Sequence, residues 1–198
     1  MPAGTRLSER NRASSSRAAS CKSGRSGLCT NRPSGSERKS VRPHAMRVTA
    51  QKGRVRVSGA VCTGDISLTV STGKSELSAI RCNNLTTTGS TGEIALDDVI
   101  VTEKLSVKRT TGDVELEDLT AGEMHIETST GDVEIERSDA DKIYIVTDTG
   151  DVEGTLRTEK IFIPRTDTGE IDVPKTTSGG ICEITTDTGD IEIEIKGE

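Results

Sequence analysis

STGDVEI, residues 129–135, decides the fold, because the chain keeps returning to it. The same unit appears as STGEIAL (90–96), TTGDVEL (110–116), DTGDVEG (148–154), DTGEIDV (167–173) and DTGDIEI (187–193), with a weaker copy, STGKSEL, at 71–77. Its glycines, Gly73, Gly92, Gly112, Gly131, Gly150, Gly169 and Gly189, are 19 or 20 residues apart. A fixed period near twenty residues marks a repeat architecture before any propensity argument, and it is the coil length of a short β-solenoid.

Apolar residues hold fixed offsets from each glycine. Two and four places after it stand Ile94 and Leu96, Val114 and Leu116, Val133 and Ile135, Ile171 and Val173, Ile191 and Ile193. Seven and five places before it stand Leu105 and Val107, Met124 and Ile126, Ile143 and Ile145, Cys182 and Ile184. Both sets alternate with period two, which is a strand pattern and excludes an amphipathic helix. A shorter inward pair lies between them, as in Ile80 and Cys82 or Val99 and Val101. Each unit is therefore two strands and a short third facet. Like residues at like offsets favour a parallel β-solenoid (β-helix) over an antiparallel meander, because only stacked coils bring equivalent positions together. The expectation is a single-domain, all-β solenoid of about six coils, each stacked on the last, in a rod roughly 29 Å long. One Phe, one Tyr and no Trp suit a narrow lumen filled by Ile, Val and Leu.

The chain is electrically divided. Residues 1–54 hold 13 of the 26 Lys and Arg against two acids, Glu9 and Glu37; the remaining 144 residues hold 13 bases and 30 acids. The first segment is rich in Arg, Ser, Gly, Ala and Pro without apolar periodicity, so 1–54 is expected to be a disordered basic arm and 55–198 the solenoid. Arg54–Val70 reads as a partial first coil, with Gly64 half a turn before Gly73, and DIEIEIKGE (190–198) as the far end. A basic arm invites a nucleic-acid reading, but without aromatic interleaving or a binding motif no nucleic-acid partner is expected. The same composition arises when GC-rich DNA is read out of frame; finding the arm by intact mass in the natural product would exclude that. No apolar run follows the basic start and none approaches a membrane span, so the expectation is a soluble chain without an export signal.

DKIYIVTDTGDVEGTL, EKIFIPRTDTGEIDVPKT and TSGGICEITTDTGDIEIEIKG resemble the bacterial β-strand-repeat adhesin family, a domain of unknown function; the likeness covers roughly residues 62–198. The resemblance implies a β-solenoid at the cell envelope with an envelope component or other protein as partner. It brings no catalytic residues.

Two patterns bear on chemistry. Thr-x-Thr stands at 128/130, 147/149, 166/168 and 186/188, resembling ice-binding columns, but parity puts these threonines on the inward side, turning into the corner to bond its backbone. Outward at that corner, Asp148 and Asp151, Asp167 and Glu170, Asp187 and Asp190 form two carboxylate columns, with Asp113 and Asp132 continuing one. Like charges about 5 Å apart repel, and a hard cation with oxygen ligands would relieve them. Calcium is therefore the candidate cofactor; the plainer expectation is a solvated acidic ridge beside Lys142, Lys160 and Arg165.

The five cysteines are scattered without Cys-x-x-Cys, and Cys82 and Cys182 fall at inward positions. His44 and His125 have no nucleophile at a catalytic spacing, and the even steps leave no insertion to build a cleft, so no enzyme is expected. A non-enzymatic structural or interaction module follows, with a calcium-dependent binding domain as the alternative.

Overall fold

A computed structural model of the protein describes residues 18–23, 27–30 and 43–197. All strand pairs are parallel, in one 14-stranded sheet wound into a solenoid of about seven turns. Strands β1 (Ala18–Ser23), β2 (Gly27–Thr30), β3 (Ala45–Lys52), β4 (Val55–Ser58) and β5 (Asp65–Thr72) form the first part. Four long strands, β6 (Ser75–Thr91), β7 (Ile94–Thr111), β8 (Val114–Thr130) and β9 (Val133–Thr149), each run round most of a turn.

Each turn has three walls. The first follows the repeat glycine, the short second carries pairs such as Val99 and Val101, and the third leads to the next glycine. Equivalent residues stack: Ile94, Val114, Val133 and Val152 are in register on the first wall, and Leu85, Leu105, Met124 and Ile143 on the third, all fully buried. The alternation read from the sequence is thus the alternation of lumen and solvent.

The two sharp corners have different causes. At the first, Gly112 has φ 127°, and a Cβ there would lie 2.3 Å from the Gly92 carbonyl oxygen; Gly131 meets Gly112 at 2.4 Å in the same way. No other residue fits a left-handed corner stacked that closely, so glycine recurs in the motif. At the second corner, between the first and second walls, Ala79, Asp98, Asp118 and Arg137 all have φ between 45° and 52°. These residues accept left-handed strain, about 1 kcal/mol or more each, because cross-coil pairing on both sides fixes the bend.

The start and end differ from expectation. The solenoid does not begin at residue 55: β3 pairs with β5, Val48 and Ala50 are buried, and the Gly53 N–H donates to the Thr72 carbonyl at 2.9 Å. Gly53 heads a full turn that its KGR sequence, lacking Thr and acid, conceals. The backbones of β1 and β2 extend the stack on β3 and β4; the remainder of the expected arm lies outside the described residues.

At the other end the coils are not stacked in chain order. After β10 (Val152–Leu156) come β11 (Lys160–Thr168), β12 (Ile171–Asp172), β13 (Gly180–Thr188) and β14 (Ile191–Ile195). β13 pairs with both β9 and β11, and β14 with both β10 and β12. The last coil therefore inserts between its two predecessors, and the glycine column runs Gly150, Gly189, Gly169. Prolines explain the choice. Pro164 has no N–H to donate, which a strand tolerates at an edge and not between two partners. The insertion buries Ile191 completely, whereas Ile171, inward by its offset, is left 45% exposed because nothing stacks beyond the outermost coil.

Candidate functional site

The acids at the glycine corner form the columns expected, in the swapped order. Asp148, Asp187 and Asp167 lie on successive coils, as do Asp151, Asp190 and Glu170. The second column has a structural task that spacing did not reveal. The Asp132 N–H donates to Asp113 Oδ1 (3.2 Å), Asp151 N–H to Asp132 Oδ1 (2.9 Å), Asp190 N–H to Asp151 Oδ1 (2.8 Å) and Glu170 N–H to Asp190 Oδ1 (2.7 Å). Each carboxylate thus ties its corner to the next, a charge-assisted bond that repeats because the coil repeats. Among the described residues, no three His, Cys, Asp or Glu side chains converge as metal ligands.

Beside this ladder on the first wall's outer face runs a second column: Glu115, Glu134, Glu153, Glu192 and Asp172, in register. Neither this column nor the ladder from Asp113 to Glu170 makes an ion pair among the described residues. Burial, then the neighbouring Glu93 carboxylate, pushes the Glu115 carboxyl above its ordinary value. Toward the N-terminal end the same wall turns mixed, where Arg54 and Arg56 meet Glu76 and Lys74 meets Glu93. A shallow depression of about 270 Å³ over Gly154 is lined by Glu134, Glu136, Glu153, Glu192 and Glu194.

Elsewhere several charged side chains are paired across coils. At the second corner Arg137 donates to Asp118 and Glu117, and Arg157 reaches Asp118 at 2.9 Å. These guanidinium bonds, Arg137 first, hold the Asp118 carboxyl below its usual range, and the carboxylates raise the affinity of Arg137 for its proton. On the third wall, Lys104 Nζ lies 3.0 Å from Glu123 and Lys108 Nζ 2.5 Å from Glu127. Over these pairs the His125 and Tyr144 rings stack with centroids 4.6 Å apart, inside a depression of about 320 Å³.

Several expectations find their places. Thr128, Thr147 and Thr186 point inward and are buried, whereas Thr130, Thr149 and Thr188 are exposed, so no flat Thr-x-Thr face forms. Thr186 and Thr166 bond corner carbonyls, of Gly150 and Gly189. Cys82 and Cys182 are buried, each thiol pushed up to about 12 by desolvation. Lys160 is not a partner of the ridge: it is 3% exposed, with Nζ 2.5 Å from Asp139 Oδ1. The sequence reading missed the glutamate column, although its signal is plain afterwards: an acid three places after each glycine from Gly112 onward.

The chain matches the family described as Toastrack DUF4097 over residues 39–163 and 100–198, and it belongs to that family, whose domain is of unknown function. No curated protein and no solved structure matches it. No helix among the described residues is long and apolar enough to cross a membrane.

Proposed function

We propose that this Toastrack solenoid is a non-enzymatic structural and interaction module, an adhesin-like rod of the bacterial cell envelope whose first wall docks a cationic segment of a partner protein. The observation that carries the reading is the pair of parallel acid columns, Asp113 to Glu170 and Glu115 to Asp172, without cationic partners among the described residues. Stacking at about 4.8 Å places like charges side by side, which costs free energy in the isolated chain and is recovered when a cationic surface covers them. A rigid parallel sheet holds the carboxylates in fixed rows, so little ordering entropy is lost on its side of the interface.

Binding of a fluorescent oligolysine to the full chain tests the proposal, read by anisotropy across a salt series. Affinity should fall steeply with salt and drop tenfold or more when Glu115, Glu134, Glu153 and Glu192 are changed together to Gln. Equal binding by the variant would overturn it. The calcium alternative, resting on Asp148, Asp151, Asp167, Glu170, Asp187 and Asp190, is separated by melting at matched ionic strength. A rise with millimolar calcium absent with sodium would favour a specific cation site.

A further inference from the structure

Two cationic side chains are buried among the described residues, and only one is matched by a carboxylate. Lys160 has Asp139; Arg109, 2% exposed, has no acid in contact. Arg109 points into the lumen three places before Gly112, where later repeats carry Thr128, Thr147, Thr166 and Thr186. Two neighbours break the repeat to receive it. Gly89 holds the equivalent position one coil earlier, and a Cβ there would lie 1.8 Å from Arg109 Nη1. Ser75 takes a place in the column otherwise filled by Val55, Ile94, Val114 and Val133, and its Oγ accepts from Arg109 Nη2 at 3.2 Å.

The accommodation is incomplete. Among the described residues, Arg109 Nε and Nη1 have no partner, and the buried hydroxyls of Thr87 and Thr128, on the same inner face, have none either. A guanidinium keeps its proton in a protein interior, and an enclosed charge without a counter-charge is strongly unfavourable. Water could satisfy the hydrogen bonds but would leave the charge uncompensated. Space has been made for the side chain by two independent departures from the repeat, so its burial is built into the sequence.

We propose that the lumen beside Arg109 is an internal site for a small monovalent anion of the chloride type, held by Nε and Nη1 and flanked by the Ser75, Thr87 and Thr128 hydroxyls. The ion completes the core at the coils of Gly92 and Gly112 and links their stability to anion concentration.

Melting of the full chain in sodium chloride against sodium gluconate, at equal ionic strength and pH, tests the site. Gluconate is too large for a lumen lined at this level by fully buried side chains. The melting temperature should climb with each tenfold rise in chloride and stay flat in gluconate. Arg109→Thr, which restores the residue of later repeats, and Arg109→Met should each lose the difference between salts whatever their own stability. Crystals soaked in bromide should show an anomalous peak in contact with the guanidinium. Identical melting of the unaltered protein in the two salts, or a bromide-soaked crystal without a lumen peak, would overturn the proposal and leave water as the partner of Arg109.

Discussion

The outer faces of the first and third walls obey one stacking geometry and carry opposite electrostatic patterns. On the third wall the column Asp65, Asn84, Lys104, Glu123, Lys142 alternates in sign, and its neighbours bond to one another across coils. On the first wall the column Glu115, Glu134, Glu153, Glu192, Asp172 repeats one sign throughout. A solenoid does not force like charges together at every position, since this third-wall column avoids them with the same repeat, although Asp148, Asp187 and Asp167 stack at the glycine end of that wall. The acidic columns are therefore not a by-product of the coil. The Asp ladder has its own bonding role, but the glutamates beside it make no ion pair among the described residues, and that contrast is what supports the proposed cationic partner.

The largest effect should come where both walls meet. Gly131→Ala puts a methyl 2.4 Å from the Gly112 carbonyl oxygen at a φ of 139°, and should cost roughly 3 kcal/mol or more, seen as a lower urea midpoint. Both walls should fail together; selective loss of one would mean the corner is not shared as described. Charge removal should then separate them by sign. Glu123→Gln, which strips the partner from Lys104, should lower the melting temperature by about 2 °C, and Glu134→Gln should raise it by about 2 °C. The same sign for both would erase the comparison.

Titration sharpens the contrast. The Glu115 carboxyl has a raised affinity for its proton in the folded chain, so the folded state binds more protons there than the unfolded state. Stability should rise as pH falls from 7 toward the ordinary carboxylate range near about 4.3. Asp118 and Glu123 are shifted the other way by Arg137 and Lys104, so what they contribute is present above their unfolded values and is lost below about pH 4. Melting from pH 7 to 3 should therefore pass through a maximum. A smallest effect is expected at the second corner, where Ala79→Gly relieves a φ of 52° and should gain a few tenths of a kcal/mol.

Much of this fold is legible in the chain. Period, parity and offsets identify the lumen residues, the corner glycines and the outward acids, because stacking converts sequence period directly into spatial columns. Order along the axis is a different matter. DTGEIDV and DTGDIEI satisfy the same pattern, so either could lie on the coil of Gly150; the missing N–H of Pro164 decides it through a pairing between segments far apart in sequence. Gly53 was hidden for a simpler reason, since KGR keeps the one atom-level requirement of the corner and drops the rest of the motif. Arg109 broke the threonine column at a place where composition alone reads as surface charge, and its meaning came only from Gly89 and Ser75 across the lumen.

The first wall is proposed as the docking face for cations. The measurement that tests it is the salt-dependent binding of oligolysine by the full chain, set beside a third-wall variant with Glu123 and Glu127 changed to Gln and the first-wall variant with the four glutamates so changed. Binding kept by the third-wall variant and lost by the first-wall variant is the predicted result. Equal loss in both, or none in either, would contradict a site confined to the first wall.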